Sequence, residues 1–295
     1  MRNQEQKPNA PDSRTEITED IKRVTSALST HETVGRYGCA NAEYIKGYAG
    51  VDNETGQKFA KGLADIAKYK VNPDYVEQNI KQQAGFSAEI ATTSRDNAEA
   101  IINGDPTRTF RSDDLAQYGK NHNIVDRVKV LNGEIIEGTQ TQMKFVGDRD
   151  QLFERIAKED GKFARYRGTK LELPSEQYEG AENFCHNEAL KLREQAIKAE
   201  QAGKPEVANK LRGEADNYDQ LAKNVEDSGL TTEDVLFYRE HPKLATFRDI
   251  AKTSHRAGTE GAKYGMVIGG CISVLQNAFA VAQEKKLWMR QLKTL

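Results

Sequence analysis

Residues 123–147 read NIVDRVKVLNGEIIEGTQTQMKFVG, and this stretch decides the fold. NIVDRVKVL and GEIIEG are short runs rich in β-branched residues. Between them, Asn132-Gly133 is the strongest two-residue hairpin signal, because a type I′ turn needs positive φ at both central positions. A third run, TQMKFVG, follows within a few residues. Three adjacent strands are expected here, in a chain whose patterning is otherwise helical.

Upstream, Ile80, Ala84, Ala88 and Ala91 recur at helical spacing between Tyr75 and Asn103, and Asn103-Gly104-Asp105-Pro106 supplies a stop. Downstream, Leu152, Phe153 and Ile156 mark an amphipathic helix over Asp150–Glu159, and TKLELP is a further strand closed by Pro174. The core order is helix, three strands, helix, strand. Beyond Ser175 the helical texture returns in two segments, Ser175–Gln201 and Glu206–Glu226, which read as a helical hairpin. Thr231 and Asp234 form a capping box for a helix ending near His241-Pro242. Ahead of the core, helices are expected over Ile17–Leu28 and Val34–Ile45, and Phe59, Leu63, Ile66 and Ala67 share a helical face before Asn72-Pro73. The fold class is α+β, mostly helical. Five divisions follow: a disordered 1–15, N-terminal helices over 16–74, an α/β core over 75–181, the hairpin and following helices over 182–257, and a glycine-rich apolar helix and tail over 258–295.

A net charge of −2 provides no global field for nucleic acid or an anionic membrane, so any such contact must rest on a local patch. Three scattered cysteines, Cys39, Cys185 and Cys271, form no CxxC pair and argue against a disulfide framework or zinc knuckle; a reducing, cytoplasmic compartment is expected. The polar N-terminus lacks the apolar stretch of a secretory signal.

The chemistry-bearing residues are Glu89 on the first core helix, Asp126 at the opening of the hairpin, and Gln142 and Lys144 one residue apart on the third strand. Phosphodiester hydrolysis calls for a hard cation on oxygen ligands. Glu89 and Asp126 can supply carboxylates, Gln142 a neutral carbonyl, and Lys144 a cation for developing negative charge. The bland alternatives are a solvent-facing Glu89, a loop-ending Asp126 and a Lys144 that guards an edge strand.

QQAGFSAE, NIVDRV, TQMKF and LELPSEQYEGA, in that order over Gln82–Ala181, resemble the motifs of the PD-(D/E)xK superfamily, and within it a bacterial group associated with mobile elements and toxins. The resemblance implies a restriction-endonuclease-like core, Mg²⁺ or Mn²⁺ held by Glu89, Asp126 and Gln142, catalysis completed by Lys144, and nucleic acid as substrate in mobile-element, phage or interbacterial conflict. The sequence departs from the family pattern in having glutamine where a second carboxylate is usual.

Regular pairing from the Asn132-Gly133 turn would set Asp126 opposite Thr139, which puts Gln142 and Lys144 on the wrong parity to join it. A one-residue bulge at Gly138–Thr139 would restore the parity. KFARYRGTK offers Lys162, Arg165, Arg167 and Lys170 with Phe163 and Tyr166, a nucleic-acid-binding strip or a solvated loop edge. His122, near Asp126, is either a supporting group or an ordinary loop histidine.

Ala257, Gly261, Gly265, Gly269 and Ser273 repeat every four residues, a small-residue groove that suits close helix packing in a core, an oligomer contact or a membrane. The stretch 264–282 is about long enough to span a bilayer, although Gln276 and Asn277 interrupt it. The alternative function is therefore a non-catalytic interaction protein that self-associates or contacts membrane through its helical C-terminal region.

Overall fold

The computed structural model describes residues 35–120, 122–145 and 147–263. The chain is helical over 35–49 (α1) and Leu63–Ile66 (α2), and α3 then runs over Val76–Ile102. Strands β1 (Arg108–Arg111), β2 (Arg127–Leu131), β3 (Glu134–Ile135) and β4 (Thr141–Met143) follow, then α4 (Arg149–Ala157) and β5 (Lys170–Leu173). The remainder is α5 (Ser175–Tyr178), α6 (Ala181–Gln201), α7 (Pro205–Asn224), β6 (Val225–Asp227), α8 (Thr232–Glu240) and α9 (Pro242–Lys263). The fold is α+β and mostly helical, with a mixed six-stranded sheet.

The chain divides into two compact units, 40–250 and a second drawn from 1–39 and 251–295. In the second unit the described residues, 35–39 and 251–263, are helical. The helix expected over Ile17–Leu28, the 1–15 segment and the glycine-spaced stretch from residue 264 onward lie outside the described residues. Among the described residues no helix is long and apolar enough to cross a membrane.

Within 40–250 the sheet order is β1-β2-β4-β5-β6, with β3 paired to β2. β1/β2 and β2/β4 are antiparallel, and β4/β5 and β5/β6 are parallel. Leu171 and Leu173 of β5 pack with Leu152, Phe153 and Ile156 of α4 and with Ala189, Ala215 and Tyr218 of the α6/α7 hairpin. Met143 of β4 instead joins Ala84, Ala88 and Ala91 of α3 and Val235 and Tyr238 of α8. The period-2 alternation of strands thus sends successive residues into two cores, one on each face. The sheet and the hairpin share the first of these cores, so residues 75–181 and 182–250 are not separate bodies.

Local signals explain most boundaries. Asn72 accepts from the Asp74 N–H and, with Pro73, starts the turn leading into α3. Asp148 caps α4 by accepting from the Gln151 N–H at 2.9 Å, and Thr231 and Asp234 form the expected capping box. Three expected elements change. The helix over Ser175–Gln201 is broken at Gly180, whose φ of 71° is left-handed and separates α5 from α6. The helix over Glu206–Glu226 stops at Asn224, because Val225–Asp227 pair in parallel with β5. Phe59 lies outside α2, which keeps only Leu63–Ile66.

The hairpin turn forms with φ of 53° at Asn132 and 86° at Gly133, and Val130 pairs with Ile135. Continued regularly, this register would set Arg127 against Gly138, yet Arg127 pairs with Thr141. The break lies where it was expected but takes up three extra residues rather than one. Gly138, with φ of 77°, sits in a tight turn closed by the Thr139 N–H on the Ile136 carbonyl at 3.3 Å, and the Thr139 hydroxyl accepts from the Lys129 N–H at 3.0 Å. Three is odd, so Gln142 and Lys144 acquire the parity of Asp126. Nothing crowds a Cβ at Gly138. Gly138→Ala is therefore expected to cost only the left-handed backbone penalty, about 1 kcal/mol, read as a lower urea midpoint with an unchanged slope.

Candidate active site

Asp126 stands at the fork where β2 and β4 part. Its N–H bonds the Thr141 carbonyl at 2.8 Å, and its own carbonyl accepts from the Ser112 N–H at 2.8 Å. After the single pair Arg127↔Thr141 the ladder is continued by a side chain: Asp126 Oδ2 accepts from the Met143 N–H at 2.8 Å and from Gln142 Nε2. Among the described residues no hydrogen bond reaches Oδ1. His122 fixes the approach to this point, its Nδ1 accepting from the Val125 N–H at 3.0 Å and its ring meeting Tyr118 edge-on at 5.1 Å. Its role is to shape the loop.

Glu89 projects from α3, half-buried, and its carboxylate has no hydrogen bond or ion pair among the described residues. Burial, reinforced by the negative charge of Asp126, pushes its pKa up to about 8, against the pull of Arg111 and Lys61. Burial also pushes Asp126 up to about 6; Lys144 and the Met143 N–H act the other way, while Glu172 adds to the rise. Lys144 follows β4 directly, its N–H bonded to the Glu172 carbonyl at 2.9 Å and its Nζ 4.6 Å from the centre of the Tyr166 ring. The structure thus links Glu89 to Asp126, and Asp126 to Gln142 and Lys144. One expected role changes: Gln142 presents its amide nitrogen to Asp126 rather than a carbonyl to a cation, because the carboxylate oxygen beside it accepts and does not donate.

Three further charged groups escaped sequence reading. Arg127 is 4% exposed; its Nη1 donates to Asp96 of α3 at 2.7 Å and its Nη2 to Glu172 of β5. This buried bridge ties helix to sheet immediately behind Asp126. Its partners lie 31 and 45 residues away, and no local pattern announces them.

The basic strip is divided by function. Arg167 closes the end of α4, its Nε donating to the Ile156 carbonyl at 2.8 Å and its Nη2 to the Glu159 carbonyl at 3.1 Å, and Lys170 pairs with Glu226 of the adjoining strand. Both side chains have structural work. Lys162 and Arg165 are exposed and pair with no carboxylate among the described residues. Arg165 lies over Phe163 and Tyr166, 5.5 and 4.7 Å from the ring centres.

Among the described residues no three His, Cys, Asp or Glu side chains are grouped closely enough to cage a metal alone. Mg²⁺ commonly keeps several waters and needs only one or two carboxylates, and Glu89 and Asp126 are two such groups, electrostatically coupled to each other. Comparison with protein-family models, curated proteins and solved structures finds no match to this chain.

Proposed function

We propose that the chain is a metal-dependent nuclease with a restriction-endonuclease-like core, acting in mobile-element, phage or interbacterial conflict. The observation that carries the reading is the Glu89–Asp126 pair. Two electrostatically coupled carboxylates with raised pKa values, neither of them in an ion pair among the described residues, suit a divalent cation. The order α3, β1, β2, β4, α4, β5, with two antiparallel pairings followed by a parallel one, supports the fold assignment.

In this reading Glu89 and Asp126 Oδ1 hold Mg²⁺ or Mn²⁺, which when bound polarises the phosphoryl group and activates water. Gln142 and the Met143 N–H lock Oδ2, so the carboxylate cannot rotate away. Lys144 places a positive charge beside Asp126, where negative charge develops on the phosphoryl oxygens. Lys162 and Arg165 take phosphates of the approaching strand. Single- and double-stranded DNA and RNA incubated with the protein and Mg²⁺ or Mn²⁺ should include a cleaved substrate, and EDTA should stop the cleavage. Metal-independent cleavage, or none of any substrate, would refute the proposal.

The raised carboxylates also fix a pH dependence. Cation binding requires deprotonated groups, so Mn²⁺ affinity should climb from about pH 6 to about pH 8, the span of the two values. Stability without metal should move oppositely. A carboxyl whose pKa is higher folded than unfolded contributes most when protonated in both states. That contribution is lost as pH rises from the ordinary carboxylate range through the folded value. Metal-free protein is therefore expected to melt lower at pH 8 than at pH 5, with Mg²⁺ restoring the melting temperature at pH 8 only. Equal Mg²⁺ effects at both pH values would contradict this.

A further inference from the structure

We infer that Tyr166 is the positioning residue for Lys144, holding its ammonium at the site through the face of the phenol ring; the inference rests on the nuclease reading just given. Lys144 is the first residue beyond β4, where the main chain keeps one strand-like bond, to the Glu172 carbonyl, and where a four-carbon side chain would otherwise sweep widely. Among the described residues no carboxylate lies within ion-pair reach of its Nζ. The contact that restrains it is Tyr166, with the ammonium 4.6 Å from the ring centre. A cation at that distance is drawn to the negative face of the ring, and more strongly where water is scarce.

The ring is itself well anchored. Tyr166 is 5% exposed and belongs to the core that joins α4, β5 and the α6/α7 hairpin. Its hydroxyl accepts from Arg165 Nη2 at 3.0 Å, and the Arg165 guanidinium lies 4.7 Å from the same ring centre. Arg165 is further held by the Lys162 carbonyl at 3.1 Å. One buried phenol therefore contacts both the proposed catalytic cation and an exposed arginine of the strip that would take the strand. An ion pair in place of the ring would neutralise Lys144; a π face restrains it and leaves its charge free to act on a phosphoryl oxygen.

The test compares Tyr166→Phe, which keeps the ring and loses the hydroxyl, with Tyr166→Leu, which loses both, each checked for folding by its melting curve. Tyr166→Leu is expected to lower kcat by about 10-fold with KM nearly constant, and Tyr166→Phe to recover it to within about 3-fold of wild type. Independently of turnover, ¹³C-lysine labelling should show the Lys144 ε-methylene protons shifted upfield by the ring in wild type and Tyr166→Phe, and the shift gone in Tyr166→Leu. Lys144→Arg identifies the resonance. Cleavage that needs Lys144 but is unchanged in Tyr166→Leu, or lost equally in both Tyr166 variants, would overturn the positioning role alone, as would an unshifted ε-methylene in wild type. Absence of any cleavage by wild type would overturn the nuclease reading and this inference with it.

Discussion

Lys144→Ala is expected to reduce metal-dependent cleavage by about 10²- to 10³-fold, a loss that falls on kcat. The substitution removes the positive charge beside Asp126, and nothing on β4 replaces it. Asp126→Asn should be comparably inactive for another reason: a neutral amide is a poor ligand for a hard cation and no longer repels Glu89. Relief of that repulsion gives this variant a distinguishing mark. Without metal at pH 8 it should melt no lower than wild type, and Mg²⁺ should no longer raise its melting temperature. A variant that loses cleavage and retains its fold separates a chemical role from a structural one. If Lys144→Ala and Asp126→Asn both cleave within 3-fold of wild type, Asp126 and Lys144 are not the reacting groups.

Arg127→Ala carries the largest expected cost in stability, about 3 to 5 kcal/mol by equilibrium denaturation. The buried guanidinium pairs with Asp96 and Glu172 together, and its removal leaves Glu172 without its cation and Asp96 with Arg95 alone. Those residues tie α3 to β5 across β2, so the damage should reach the placement of Asp126. Arg127→Met fills the volume and still strands the buried Glu172 charge, so it should be nearly as costly. A triple replacement, Arg127→Met with Asp96→Leu and Glu172→Leu, is expected to recover most of the loss, because an apolar set of similar size avoids the desolvation that a buried ion network carries. A loss below 1 kcal/mol for Arg127→Ala would mean that the three charges are more solvated than their burial indicates.

The parts of this fold that local chemistry controls could be read in advance. Asn132-Gly133 announced its turn because few residue pairs accept positive φ, and α3 was visible because alanines recur on one face before Asn103-Gly104. Strand β1 was not visible. RTFR is short and flanked by charge, and it is a strand because it pairs antiparallel with β2 along its length, while Asn97 of α3 donates to the Thr109 carbonyl at 3.0 Å and accepts from its N–H at 2.7 Å, pinning the outer edge. Strand β6 was hidden in a helical composition for a similar reason: three residues become a strand through parallel pairing with β5.

Candidate residues can be named from the sequence more readily than the roles their side chains take. Glu89, Asp126, Gln142 and Lys144 are the candidates that type and spacing single out, and electrostatic coupling links Glu89 to Asp126 and Asp126 to Lys144. The direction in which Gln142 offers its amide depends on which carboxylate oxygen is nearest, and that is a tertiary fact. Arg167 looked equivalent to Arg165 in the sequence, yet one caps a helix and the other faces solvent. Charge type can be read from a sequence, whereas the number of backbone carbonyls that engage each cation, and the exposure left to it, cannot.

The turn at Gly138 has a consequence for how the chain can change length. Between the hairpin and β4, what matters for Gln142 and Lys144 is whether the number of intervening residues is odd or even, since each added residue exchanges the two sides of the following strand. A pair of residues could be gained or lost at 136–140 with the alternation intact. A single deletion there would leave every side chain of the site in the sequence and put Lys144 on the side away from Tyr166. The segment works as a parity check on insertions, written in backbone geometry.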